Sequence, residues 1–490
     1  MKNFLEGLKE IDNYDYTENG AKVYKATNSY VLDFFSQAGA MRNTSKNEII
    51  KLFSKAYNED KLLALKCLFY MRNIRGGQGE RRLFRIILNY LANKDSEVII
   101  KNIGIISKFG RWDDIYCLFK TKCEKVAEEL IKNQLKEDMS SDTPSLLGKW
   151  LKSINTSSKE SVYLGNRTRK LLGMSPKQYR KTLATLRSKI DVLEKKLTAK
   201  NYEDIDYSKV PSQAGLKYRQ AFFRNDEERY TAYLDSLKDG KVKINANTLY
   251  PYQLVHKALN NDSEYEETLF DQMWKALPDY IEEDRCNTIA VVDTSGSMNW
   301  CGGDIEPIDV ALSLGLYFAE KNTSIYKNHF ITFSGIPRLQ KIIGNTLTDK
   351  LDNMSKADWG SNTNIEAVFN LILKVAVKNK LRQDEIPNRI FIISDMQFDD
   401  ATNKNIDDEY LFDNVKKTYE DYGYKLPKLV FWNVNSYGCK FPMIENDNGL
   451  ALVSGCSPSI FKAVLKDEFK TPYELMLEVL NDDAYDCVRI

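Results

Sequence analysis

The stretch from Asn287 to Met298 contains three short oxygen-bearing side chains, Asp293, Ser295 and Ser297, at alternate positions. Ile289 to Val292 have the β-branched content and length of a buried strand, so the carboxylate and the two hydroxyls fall at its carboxyl end. Side chains of this kind, converging through a glycine-containing turn, suit a hard divalent cation such as Mg²⁺ or Mn²⁺. Open α/β sheets bind ligands in the crevice beyond their strand ends. The pattern is short, and a strand followed by a Ser/Gly turn that caps the next helix explains these five residues equally well.

The elements that must position such a site follow from residue 286 onward. Strands are expected at 288–293, 329–334, 389–394, 428–434 and 449–453, and one intervening helix carries Ile365, Val368, Phe369, Ile372 and Val375 on a single face. Near-continuous apolar strands alternating with helices imply a doubly wound, mainly parallel α/β sheet. The carboxyl ends of its strands share one rim. Asp395 follows the strand ending at Ser394, and Thr363 directly precedes a helix in the run Trp359 to Asn364.

Asp293, Ser295, Ser297, Thr363 and Asp395 together resemble the metal-ion-dependent adhesion site of the von Willebrand factor A domain, over about residues 286–490. The resemblance implies a Rossmann-like fold that holds Mg²⁺ (or Mn²⁺). The hydroxyls of Ser295 and Ser297 would bind directly, Thr363 directly or through water, and Asp293 and Asp395 mostly through water. One coordination position would stay open to a partner's carboxylate. Two departures bear on the shape of the site: Ser394-Asp395-Met396 stands where the family often has Thr-Asp-Gly, and Cys301-Gly302-Gly303 is inserted beside it.

Residues 1–285 read as an all-α, helical-repeat-like domain. Ile49, Ile50, Phe53, Ala56 and Tyr57 form one apolar stripe, and Leu83, Phe84, Ile87, Tyr90 and Leu91 form another, without a fixed-period repeat. A long helix is expected over 175–197, opened by a Ser175/Gln178 capping box with Pro176 at its first position. Basic residues cluster in two places. Arg75, Arg81 and Arg82 flank a glycine-rich turn, and Arg167, Arg169, Lys170, Arg180, Lys181, Arg187 and Lys189 lie on or before the long helix. A band of this density is able to track an RNA backbone, although basic residues on an exposed helix are ordinary. The glycine-rich turn lacks the Lys-Ser/Thr of a nucleotide loop, so a tight interhelical turn is its favoured reading.

Gly76-Gly77-Gln78-Gly79, the run Lys108 to Asp114, the run Tyr179 to Arg187, and Val210-Pro211-Ser212 resemble a family found in plants, large DNA viruses and phages, over nearly the whole chain. The domain order is similar to that of Ro ribonucleoproteins, in which a HEAT-like helical ring, the TROVE module, precedes an A domain. That likeness implies structured non-coding RNA as a partner of the helical part.

Composition narrows the function further. At 490 residues, with 43% hydrophobic and 28% charged side chains, the chain is of a size for several globular domains. Residues 1–285 carry 49 basic and 40 acidic side chains, against 21 and 29 from 286 onward, which permits a polyanion-facing front and a cation-binding back. With only His256 and His329, histidine triads and multi-histidine zinc sites are not expected. Eight scattered cysteines without a C-x-x-C pair suggest free thiols in a reducing compartment. No signal-peptide core or membrane-spanning run is visible, so a cytoplasmic protein is expected, in the host cytoplasm if viral or phage-encoded. These features together lead to the expectation of a non-enzymatic, Ro-like RNA-binding ribonucleoprotein component with a Mg²⁺-dependent protein-interaction domain. The alternative is a metal-dependent protein-interaction scaffold without RNA.

Overall fold

The computed structural model describes residues 13–261, 263–281, 287–299, 305–357, 359, 364–398, 411–436, 440–444, 446–447, 449–465 and 471–490. They pack into two compact units, neither continuous in sequence. One comprises 1–67, 76–78 and 246–483, and the other 68–75, 79–245 and 484–490.

The first unit is built on a six-stranded sheet. A preceding hairpin is formed by β1 (Tyr14–Tyr16) and β2 (Lys22–Tyr24). The sheet comprises β3 (Thr288–Asp293), β4 (His329–Phe333), β5 (Leu339–Lys341), β6 (Arg389–Ser394), β7 (Lys428–Asn433) and β8 (Leu450–Ser454). Their spatial order is β5-β4-β3-β6-β7-β8, with only the β4–β5 pair antiparallel. The order therefore reverses direction between β3 and β6, and the crevice at such a reversal is where doubly wound sheets take ligands. The five expected strands form within a residue of their expected ends. β5 was not anticipated, because three residues with a half-exposed pattern carry no buried-strand signal.

Alternation along the central strands supplies both faces of the sheet. Ile289, Val291, Ile390, Ile392, Leu429 and Phe431 join Ile365, Val368, Phe369 and Ile372 of the helix Ile365–Asn379, and Val415 and Tyr419 of the helix Leu411–Asp421, in one core. On the other face Phe318 of the helix Pro307–Lys321 meets Phe391 at 4.8 Å between ring centroids, and Phe461 meets Trp432 at the same separation.

An all-α domain spanning 1–285 is not what the packing shows. The β1–β2 hairpin joins the sheet unit through a two-way backbone pairing of Tyr24 with Phe441, at 2.8 and 2.9 Å. The helix Tyr30–Ala38, buried at every residue except Tyr30, lies beside β8, where Gly39 N–H donates to Ser454 Oγ at 3.0 Å. The helices Pro251–Leu259 and Glu264–Lys275 also belong to this unit. An apolar helix declares in sequence that it is buried, but not against what. The expected boundary, at about 285, falls beside residues 282–286, which lie outside those described.

The second unit is helical. Buried apolar side chains such as Phe69, Leu83, Phe84, Ile87 and Leu91 pack it, and an ionic network is buried among its helices. Asp114 accepts from Arg72 Nε at 2.9 Å and Arg85 Nε at 2.6 Å, while Asp113 meets Arg111 at 2.9 and 2.8 Å, Arg85 at 3.0 Å and Lys152 at 3.5 Å. Both carboxylates are buried. Gly110 is required here by close approach, since a Cβ at this position would come within 2.3 Å of Asp114 Oδ2. The expected long helix 175–197 is two pieces, Pro176–Lys189 and Leu193–Ala199, because Asp191 takes a left-handed conformation at φ 44° that interrupts the helical hydrogen bonds. No helix among the described residues is long and apolar enough to cross a membrane.

Candidate metal centre

Asp293 and Asp395 stand at the carboxyl ends of the adjacent parallel strands β3 and β6, one on each side of the point where strand order reverses. Asp293 is fully buried, and both of its oxygens are held. Oδ1 accepts the Ser295 N–H at 2.9 Å and Oδ2 accepts the Ser394 hydroxyl at 2.5 Å. These bonds turn the chain after β3 so that Ser295 Oγ and Ser297 Oγ come 3.1 Å apart. Asp395 is 1% exposed; its Oδ1 accepts the Gln397 N–H at 3.2 Å, and the carboxylate also takes a hydrogen bond from Ser297.

Asp395 Oδ2 is buried without a hydrogen-bond partner, as is Thr294 Oγ1. An orphaned carboxylate oxygen is a costly thing to bury, and a bound cation is one way of meeting that cost. Burial pushes the Asp395 carboxyl up to about 7. The Asp293 charge adds to this and Glu18 contributes in the same sense, against hydrogen bonds from Ser297 and Gln397. Two carboxylates and two hydroxyls on one rim, with Ser297 half-exposed on the open side, are the donor set a Mg²⁺-sized ion takes. Among the described residues no group of three His, Cys, Asp or Glu side chains is placed to hold a metal, so any site here depends on hydroxyl and water oxygens.

The Met396 departure has a specific geometry. Met396 adopts φ 66°, the left-handed conformation that glycine reaches without strain, and its N–H donates to Ser394 Oγ at 3.0 Å. The turn after Asp395 therefore keeps a glycine-like shape with a methionine in it, and the Met396 side chain is buried in the sheet core. Thr363 and the Cys301-Gly302-Gly303 insertion lie outside the described residues. Asn364, next to Thr363, caps the following helix by accepting the Ala367 N–H at 2.9 Å. Ser394 and Gln397 are contributors that sequence reasoning missed. The hydroxyl immediately before Asp395 was a signal for the first, and nothing in the local sequence marked the second.

Residues 17–145 and 123–285 match a family described as a domain of unknown function, DUF2828, and residues 287–485 match a second, DUF7788. An uncharacterised protein of Acanthamoeba polyphaga mimivirus is 31% identical over 510 residues, spanning 96% of this chain and 87% of that protein. The chain belongs to the DUF2828 family. Among solved structures, the Ro (RSR) protein of Deinococcus radiodurans aligns with this DUF2828 protein over 93% of its length and 96% of the Ro chain, at 13% identity and a TM-score of 0.37. Nothing is carried over at that level of likeness.

The basic residues singled out for RNA divide into two groups. Arg187 donates to Gly148 O at 3.0 Å, Leu151 O at 2.9 Å and Ser153 Oγ at 3.1 Å. Lys189 reaches Met139 O and Ser141 O at the end of the helix Glu124–Ser140, Arg169 donates to Met174 O at 2.8 Å, and Arg167 pairs with Glu124. These four contribute to the packing of the helical unit. Arg75, Arg81, Arg82, Lys170, Arg180 and Lys181 are exposed, as is Lys189 despite its two carbonyl contacts.

A cation held at this rim would compete with a proton for the raised Asp395 carboxyl. Without metal, the protonated group contributes stability that is present in full below pH 3.8 and lost as pH rises through about 7, since the native state binds the extra proton. Mg²⁺ affinity is then expected to be roughly 30-fold weaker at pH 5.5 than at pH 8. Thermal unfolding with and without Mg²⁺ checks this: the Mg²⁺-induced rise in Tm should be several degrees at pH 8 and much smaller at pH 5.5, and Asp395→Asn should remove the difference.

Proposed function

We propose that this DUF2828 protein is a non-enzymatic binding protein whose sheet unit is a von Willebrand factor A-like domain that captures an acidic partner through Mg²⁺ or Mn²⁺. Ser295 and Ser297 would hold the ion through their hydroxyls. Asp293 and Asp395 would act from the strand ends, and Thr363 would complete the set. The observation that carries this reading is the buried, unpartnered Asp395 Oδ2 beside the paired hydroxyls at the reversal point of the sheet. Few direct anionic ligands leave the bound ion electrophilic, so an open position on it attracts a carboxylate. A grip is favoured over hydrolysis because both aspartates are engaged by neighbouring N–H and hydroxyl groups, and phosphoester chemistry would ask for more direct carboxylates and an acid–base group. The two histidines are engaged elsewhere, His256 with Asp309 at 2.7 Å and His329 with Lys327 O at 2.7 Å.

A second reading, RNA contact by the helical unit, is favoured by the ionic network. Arg72, Arg85, Arg111 and Lys152 gather around the Asp113 and Asp114 carboxylates, and Arg81 stands near enough to feel Arg111, Arg85 and Arg72 as well as Asp113. The cluster of positive charge and the exposed residues Arg75, Arg81, Arg82, Lys170, Arg180, Lys181 and Lys189 suit phosphate groups.

Two measurements test these readings separately. Calorimetric titration of Mn²⁺ into the whole chain should show one site that Asp395→Ala removes while cooperative unfolding is retained; an undiminished site in the variant would refute the cation reading. Affinity for a structured RNA should fall linearly in log–log form with salt, and the combined changes Arg81→Glu and Arg180→Glu should lower both affinity and salt slope. Salt-independent affinity, or no binding by protein purified free of nucleic acid, would dismiss RNA.

A further inference from the structure

β5 is the outermost strand of the sheet, bonded to β4 on one side only. Its register pairs Ile331 with Leu339, Phe330 with Gln340 and His329 with Lys341. The pairing continues past both ends, where the Thr332 N–H donates to Arg338 O at 3.0 Å and the Ile342 N–H to Asn328 O at 2.8 Å. In an antiparallel pair, residues bonded across the ladder alternate with residues whose N–H and C=O groups point away from the partner strand. Residues 338, 340 and 342 are therefore the ones bonded to β4, and the backbone groups of Leu339 and Lys341 face the open edge.

Natural sheets blunt such an edge with short strands and lysines, and they keep apolar side chains off it. β5 has the shortness and the lysine but not the third feature. Leu339 is 54% exposed, Ile336 in the preceding turn 72% and Ile343 just after the strand 62%. Exposure alternates here: Leu339, Lys341 and Ile343 are exposed, Gln340 is half-buried and Ile342 is buried. The row reads apolar, basic, apolar. Opposite Leu339 stands Ile331, buried in the sheet core, so one apolar face runs from the core out to the surface.

A second copy of the chain and a segment of another protein are both able to pair with an open edge, and charge decides between them. Two β5 strands side by side would crowd Arg338 and Lys341 of both copies into a strip a few residues long, and like charges across strands are destabilising. Carboxylates are what the row lacks. The acid nearest along the chain, Asp349, is committed to capping the helix Leu347–Ser355, where it accepts the Asn345 and Thr346 N–H groups at 3.0 Å each.

We propose that β5 is a docking edge for an extended segment of a partner protein in which apolar and acidic side chains alternate. The segment adds to the sheet as a further strand through the outward N–H and C=O groups of Leu339 and Lys341. Its carboxylate lies across from Lys341, and its apolar side chains cover Leu339 and the neighbouring Ile336 and Ile343. β4 separates this edge from β3, so the docking does not rest on the cation reading above.

Two capped synthetic heptapeptides, one alternating valine with glutamate and the other valine with lysine, test this on the full chain. Excess chelator keeps any cation site out of the measurement. Affinity is read by fluorescence anisotropy, and backbone protection by hydrogen exchange resolved to single amides. At saturation the glutamate peptide should slow exchange of the Leu339 and Lys341 amides roughly tenfold and leave the β3 amides unchanged. Lys341→Glu should weaken that peptide roughly tenfold and admit the lysine peptide instead. Lys341→Pro removes one outward N–H while sparing the β4 ladder, so it should abolish protection with the unfolding transition retained. Equal affinity for the two peptides, indifference to Lys341→Glu, or no protection at Leu339 and Lys341 overturns the proposal. Sedimentation of the wild type as a dimer that Leu339→Asp returns to monomer also overturns it, since a second copy would then be the occupant.

Discussion

Two carboxylates buried side by side at the ends of neighbouring parallel strands are the constraint on which the rest of the sheet unit depends. Asp293 and Asp395 are almost wholly withdrawn from water, and like charges in such a place repel strongly. The surrounding groups are arranged to contain that cost. Ser394 and the Ser295 N–H satisfy Asp293, while the Gln397 N–H satisfies one oxygen of Asp395. One oxygen of Asp395 remains unpartnered. Met396 accepts a left-handed backbone so that its N–H also reaches Ser394, which keeps the turn closed at some cost in strain.

The sheet was legible in the sequence because its strands are short β-branched runs buried on both faces, a pattern that local composition records directly. The two aspartates and two serines were legible for the same reason, since strand ends fix where the next side chains fall. Partnership between distant segments was not legible. Nothing in Thr17-Glu18-Asn19 signals Gln397 or Phe398, and nothing in Tyr24 signals Phe441. The long basic helix failed in a different way. Leu193 and Leu197 stand seven residues after Leu186 and Ile190 in the sequence, but the chain turns at Asp191 and leaves both only half-buried. Arg187 and Lys189, which the sequence places in a basic band, donate to carbonyl groups within the helical unit, a role that residue type alone does not distinguish from phosphate binding.

Family boundaries and packing boundaries also differ in this protein. The DUF2828 match ends at residue 285 and the DUF7788 match begins at 287, yet the β1–β2 hairpin and the helix Tyr30–Ala38 pack with the sheet unit, and Ala484–Ile490 pack with the helical one. In the helical unit Tyr485 stacks on Phe109 at 5.6 Å, and the Asn102 side chain exchanges hydrogen bonds with the Arg489 backbone at 2.6 and 2.9 Å. Each unit is thus completed by residues from the far end of the sequence. A sheet domain cut at 286 would lose the strand partner of Phe441 and the turn that fastens the Asp395 loop.

The central claim is that the oxygens at the β3 and β6 ends hold a divalent cation. Crystals of the whole chain grown with Mn²⁺, with diffraction collected at an energy where manganese scatters anomalously, address it directly. The account predicts one anomalous peak within about 2.0–2.3 Å of Ser295 Oγ and Ser297 Oγ, on the open side of Asp395 Oδ2. A well-ordered rim with no peak, or with a lysine or arginine nitrogen seated against Asp395 Oδ2, would contradict it.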